Sequence, residues 1–240
     1  MPPDRTKLTR RNLLGAAAGV GALAVVGGAT RGSSVSHADA TAEELARQYP
    51  HGPLHSGARG HVDPAVNGFD PNAILTDFDE GTTSRLPNGR LLREWEVTAE
   101  QKEIEIAPGV RYPAWTYNGR VPGPTFRATE GDRLRIHFRN ATGHPHTMHF
   151  HGIHPSAMDG IPGSGPGGLV EPGSDHVYEF DATPFGLHLY HCHTFPLATH
   201  IHKGLYGAFI IDPREARPNA HEVVMVMNGF DTNFDAANEV

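Results

Sequence analysis

The sequence predicts an all-β fold, an antiparallel sandwich or barrel of short strands. Short runs alternate apolar and polar residues at the two-residue period of a half-buried strand. The cleanest is Arg133–Arg139, where Leu134, Ile136 and Phe138 face one way and Arg133, Arg135, His137 and Arg139 the other. Turn formers separate such runs, with 28 Gly and 20 Pro in 240 residues, and no long stripe of helical periodicity interrupts them.

Taken in order, residues 1–40 read as an export signal outside the fold. Arg5, Lys7, Arg10 and Arg11 precede a Gly/Ala-rich apolar run, Leu13–Ala29, and Ala38-Asp39-Ala40 resembles a cleavage site. Thr9-Arg10-Arg11-Asn12-Leu13-Leu14 resembles a twin-arginine motif, which predicts a periplasmic, cell-envelope or extracellular protein. The apolar run is shorter than the ~20 residues that span a bilayer, so no membrane anchor is expected after cleavage. Residues 41–91 carry recurrent turn formers, as in Pro50-His51-Gly52-Pro53, and no sustained period; they read as an extended arm. Its histidines, His51, His55 and His61, read as solvent-exposed.

The strand-rich domain is expected over residues 92–213. Strands are predicted at Glu94–Val97, Lys102–Ile106, Arg133–Arg139, Thr147–His151, Val177–Phe180, Leu187–His191, Gly207–Ile211 and Glu222–Met227. Asn118-Gly119 and Pro122-Gly123-Pro124 are turns, and Gly160–Gly173 is a loop at one end of the sandwich. Residues 214–240 read as the start of an interdomain segment, with the chain expected to stop before a second domain.

A net charge of −7 offers no basic face for nucleic acid or an anionic membrane. The only cysteine, Cys192, excludes an intrachain disulfide and a cysteine-rich structural zinc site. Eleven of the 17 histidines crowd between His144 and His202, in HPHTMHFHGIH and LHLYHCHTFPLATHIHKGLYG. A lone thiolate among imidazoles is a soft donor set that suits copper better than a hard cation. On a strand His149 and His151 share a face, and so do His191 and His193, while Cys192 points the opposite way. One strand thus offers sulfur to one site and two imidazoles to another. His146, of opposite parity to His151, and His200 complete a His₂Cys set around Cys192. Leu205 falls at the axial position and cannot coordinate; Met148 is its rival. A histidine-rich zinc site is the bland metal alternative. His144, His154, His188 and His202 read as surface or supporting residues, and Asp159 as a proton relay or a turn residue.

At these residues the sequence resembles the multicopper oxidases, specifically their small two-domain, laccase-like members. The resemblance rests on Tyr117–Thr125 with the Glu130-Gly131-Asp132 turn, on the H-x-x-H-F-H-G run His146–Gly152, and on the H-C-H…H…G-L-Y-G block His191–Gly207. It implies a cupredoxin-like Greek-key sandwich in which His146, Cys192 and His200 hold type 1 copper with Leu205 axial. It implies that His149, His151, His191 and His193 supply half of a trinuclear cluster. The other half comes from a second cupredoxin domain, usually in a neighbouring subunit of a homotrimer. Electrons from a small reductant (a phenol, an aromatic amine or a metal ion) pass through Cys192 to His191 and His193 and reduce O₂ to water. Copper nitrite reductases, with aspartate at the position of His149 and no histidine at that of His193, are the alternative. A non-catalytic electron-transfer cupredoxin is the alternative of another class.

Overall fold

The structure, a computed structural model, describes residues 61–230. The export signal, His51 and His55 lie outside the described residues. Among the described residues, ten strands build two sheets. The first has the order β1 (Phe78–Asp79), β5 (Thr125–Thr129), β10 (Tyr206–Asp212), β9 (Gly186–His191) and β7 (His149–Phe150). The second runs β2 (Thr82–Arg85), β3 (Leu91–Ala107), β6 (Arg133–Asn140) and β8 (Asp175–Asp181), with β4 (Val110–Tyr117) also paired to β3. Two short helices, α1 (Pro64–Asn67) and α2 (Leu197–His202), sit in connections.

The all-β expectation holds, but the sheets are mixed and not purely antiparallel. β1 with β5, β5 with β10, and β3 with β6 are parallel pairs. Parallel neighbours need long crossovers, which local alternation in sequence cannot reveal.

Two predicted strands, Glu94–Val97 and Lys102–Ile106, are one. No turn former interrupts Thr98–Gln101, and the single 17-residue strand changes partners midway. Ala99 pairs with Asn140 of β6 on one side and with Tyr117 of β4 on the other. β4 escapes a reading by pattern because Pro113 interrupts it; it is tolerated on a strand that pairs only with β3. β1 and β2 fall within the segment read as an extended arm, so residues 78–85 belong to the sheets. Thr147–His151 shrinks to the two residues of β7, with His151 already in a turn. Glu222–Met227 forms no sheet strand. It runs extended with alternate residues exposed, and its Val224 N–H donates to Leu75 O at 2.9 Å.

The core lies between the sheets and is aromatic: Trp95, Phe126, Phe138, Phe150, Tyr178, Phe180, Tyr190 and Phe209 are all buried. Each buried side chain of this size contributes about 1.5–3 kcal/mol by leaving water. The hydroxyls of Tyr117, Tyr178 and Tyr190 are paired, as buried polar groups must be. Tyr117 donates to Thr147 O at 2.6 Å, Tyr178 to Gly167 O at 2.7 Å, and Tyr190 to Pro124 O at 2.6 Å. Tyr178 also accepts from the Met148 N–H at 3.1 Å. Two of these bonds therefore clamp residues 147 and 148, in the middle of the histidine-rich run. On the outer face of β6, Arg133 and Arg135 pair with Glu179, Asp181 and Glu94 at 2.7–3.0 Å, and His137 sits 3.3 Å from Glu94, the polar face its alternation predicts.

Tyr190→Phe leaves the Pro124 carbonyl buried without its hydroxyl partner. Its expected cost is about 1–3 kcal/mol, read as a lowered denaturant midpoint with unchanged slope.

Candidate metal centre

β9 ends at His191, and Cys192 continues its line: the Cys192 N–H donates to Leu205 O at 3.0 Å, just before β10 begins. The pleat therefore persists through the H-C-H triplet. Cys192 turns into the core and is fully buried. His200 reaches the same point from α2, and its carbonyl accepts from Leu205 N–H at 3.2 Å. His146 is pinned by a two-bond bridge to Val170, at 3.1 and 3.0 Å. Upstream, the Asn140 amide donates to His144 O and Val170 O at 2.7 and 2.8 Å, which sets the loop's entry.

These three side chains converge. Sγ of Cys192 lies 3.2 Å from Nδ1 of His200 and 3.7 Å from Nδ1 of His146, and the two Nδ1 atoms are 3.0 Å apart. The point equidistant from all three is roughly 2 Å from each, a bond length for a transition-metal ion with nitrogen and sulfur ligands. Two facing Nδ1 atoms can share only one proton, so hydrogen bonding alone satisfies the group incompletely. Burial holds His146 down to about 3 and His200 to about 4, so both are neutral, ligand-competent imidazoles at physiological pH. Burial also pushes the Cys192 thiol up, against a hydrogen bond from the Thr147 N–H at 3.4 Å. An inert buried thiol becomes a thiolate when a cation takes its proton's place. The donor set thus fits copper. Leu205 and Met148 are both fully buried in the same core cluster as Cys192.

A second group lies on the outer side of the same strand. His149 pairs in register with His191 across β7 and β9. His151 Nε2 is 2.7 Å from His191 Nε2, and the ligand atoms of His149, His151 and His191 lie within 4.8 Å of one another. The His193 ring stands 5.2 Å from that of His149 and is stacked 5.6 Å from that of His191. It borders the group without its nitrogens joining the 4.8 Å set. Burial lowers His191 to about 4 and lowers His151 as well, which again favours neutral rings.

Sequence reasoning left Asp159 as a relay or a turn residue; the structure brings its carboxylate to the histidines. Its Oδ1 lies 2.9 Å from His149 Nδ1 and 3.1 Å from His154 Nε2, and its carbonyl also accepts from His149 Nδ1 at 2.7 Å. Held at Nδ1, His149 keeps Nε2 for a metal. Gly160 makes this possible. At φ +65° it approaches so closely that an added Cβ would fall 2.0 Å from Met148 O. His188 faces His151 O at 3.1 Å and so supports the turn after β7. Trp115, Tyr178 and Asn140 were not legible as site residues, because packing positions them and no motif marks them; Tyr117 lies in a motif, but its hydroxyl contact with Thr147 was not legible from it.

Residues 98–216 match the family model described as multicopper oxidase. This is a multicopper oxidase domain. Copper is the cofactor of that family, and the Cys192 group resembles a type 1 copper site. The domain is 61% identical to a multicopper oxidase of known crystal structure, with a TM-score of 0.69 over 71% of this chain and 60% of that one. The cupredoxin-like architecture follows from that likeness. Copper resistance protein A of Escherichia coli is 35% identical over 174 residues, 70% of this chain and 28% of that protein. A copper-containing nitrite reductase of Neisseria meningitidis is 32% identical over 131 residues, 54% of this chain and 33% of that protein. The chain thus spans about a third of the length of such curated relatives.

Below the usual histidine value of 6.5 the unfolded chain takes up protons that His146, His191 and His200 refuse while folded. Stability from these groups is complete above pH 6.5 and drains as pH falls through about 4 to about 3. The denaturant midpoint of the metal-free protein is expected to fall across that window, and less steeply in His146→Phe. For the outer group, Asp159→Asn should weaken copper binding at the outer histidines by about 10–100-fold, measured by chelator competition, and leave the Cys192 site's spectrum intact.

Proposed function

We propose that this domain is the type 1 copper half of a laccase-like multicopper oxidase. In this reading a reductant gives up single electrons near Cys192 and O₂ is reduced to water at a trinuclear cluster. One observation supports it above the others: consecutive residues of one strand face two donor sets, sulfur inward and imidazole outward. Copper bound at both would supply reversible one-electron exchange inside and oxygen reduction outside. The Cys192–His191 and Cys192–His193 peptide links are the covalent path between them. His146, Cys192 and His200 are assigned to the inner ion, with Leu205 axial and non-coordinating. His149, His151, His191 and His193 are assigned to the outer cluster, whose remaining ligands come from a second cupredoxin domain of a homotrimer.

The surface around the outer histidines supports that completion. Leu187 and Leu189 are at least half exposed on the strand that carries His191, as is Phe185 just before it, and Phe195 is 86% exposed just beyond it. Apolar surface of this extent beside a half-built site fits contact with another protein surface. Export through the twin-arginine route, to the periplasm, cell envelope or beyond, is part of the same reading, and rests on Arg10 and Arg11.

Nitrite reduction is the second reading, favoured by the likeness to the Neisseria protein. His149 and His193 weigh against it, since they add imidazoles beyond those of a single outer copper.

Copper analysis with optical and spin-resonance spectra of the purified oligomer separates the readings. About four copper ions per subunit with an intense blue band support the oxidase, and about two support nitrite reduction. Cys192→Ser should lose the blue band and the oxidase activity together; a variant still blue would overturn the ligand assignment.

A further inference from the structure

The alternation that turns Cys192 inward runs on for two more residues. Tyr190, Cys192 and Thr194 are buried, at 0%, 0% and 5% exposure, while His191 and His193 between them are half-buried. Residues two apart on an extended chain share a face, so Thr194 points to the side on which the sulfur lies. Its hydroxyl is buried and makes no aligned hydrogen bond among the described residues. A buried hydroxyl left without a partner is destabilising. The group it attends is the thiol two residues back. Burial pushes the Cys192 thiol up, and the Thr194 hydroxyl and N–H lead the groups that pull it down again, ahead of Thr147.

Thr147 reaches the same sulfur from another part of the chain. Its N–H donates to Sγ at 3.4 Å, and its Oγ1 lies 4.0 Å from Sγ. That oxygen accepts from the His193 N–H at 3.0 Å, so its own hydrogen is free to turn to the sulfur. The imidazoles are held differently. The Trp115 ring packs edge-on to His146 and His200, with ring centres 5.0 and 4.9 Å apart. Ring packing thus positions the nitrogens, and hydroxyls surround the sulfur. A protonated thiol is a weak acceptor, whereas a thiolate accepts strongly, because a hydrogen bond to a charged atom is the stronger kind.

We propose that Thr194 is a positioning residue of the inner site, whose hydroxyl is idle in the metal-free chain and turns to the Cys192 sulfur once a copper ion has replaced the thiol proton, favouring the reduced ion. The inference rests on the type 1 copper reading of the inner site. Donors aimed at the sulfur stabilise the negative charge left on it. That charge is greater beside copper(I) than beside copper(II), so they raise the reduction potential. Thr194 acts through Cys192 and supplies no ligand atom. It sets how readily the site takes the single electron that a small reductant gives up, copper(II) being reduced to copper(I) as the reductant is oxidised.

The test uses the full chain, copper-loaded and copper-free, as wild type, Thr194→Val and Thr194→Ser. Loaded protein is titrated anaerobically with ferrocyanide and ferricyanide while the blue band is followed. Thr194→Val, which keeps the shape and loses the O–H, should retain the band and shift the equilibrium about tenfold toward copper(II), about 59 mV for one electron. Thr194→Ser, which keeps the O–H, should stay within about twofold of wild type. In copper-free protein the denaturant midpoint of Thr194→Val should equal or exceed that of wild type, since the variant removes an unpartnered hydroxyl. An unmoved potential in Thr194→Val overturns the proposal, as does a shift in Thr194→Ser as large as that in Thr194→Val. A lowered copper-free midpoint in Thr194→Val also overturns it, because the hydroxyl would then serve the packing of the metal-free chain. A wild-type chain without a blue band overturns the type 1 reading and this inference with it, whereas a blue chain with an unmoved potential overturns this inference alone.

Discussion

The alternation of side chains through His191-Cys192-His193 is the constraint on which the rest depends. A strand can present neighbouring residues to opposite sides only while its pleat is kept, and here the pleat must outlast the strand by two residues. Three backbone contacts keep it: His149 beside His191, Cys192 bonded to Leu205 O, and the His193 N–H donating to Thr147 Oγ1 at 3.0 Å. Loss of register by one residue would put sulfur outside and imidazoles in the core.

Given that register, burial does the electrostatic work on the inner side. A dry pocket disfavours charge, so it holds the imidazoles neutral and the thiol protonated until a soft cation arrives. The outer side is built differently. It is wetter, its ring orientation is set by the Asp159 carboxylate and carbonyl, and its apolar surroundings are left exposed. One strand thus separates a preorganised interior site from a surface site that still has coordination to gain.

Much of this was legible because metal ligation imposes residue types at fixed parity. H-x-H, H-C-H and the later histidine needed no knowledge of the fold beyond a strand's period. The site's location between two sheets followed from the same alternation, since Cys192 had to face whatever was buried. What stayed illegible depends on contacts distant in sequence. Trp115 lies on a strand masked by Pro113, and it meets His200 only because β3 switches partners and carries β4 across the site. Asp159 follows a short turn whose path is set by the closeness of Gly160 to Met148. The parallel pairs were hidden for the same reason: nothing local in Phe126 announces Phe209, its neighbour in register.

That last pairing has a consequence for how the protein is made. β10 lies between β5 and β9, so until it is in place the first sheet exists as two pieces, β1 with β5 and β9 with β7. Cys192 and His200 are both bonded to Leu205, the residue that leads into this strand. A chain that stops short of residue 212 therefore lacks the strand that joins β5 to β9, and the sheet beside Cys192 stays in two pieces.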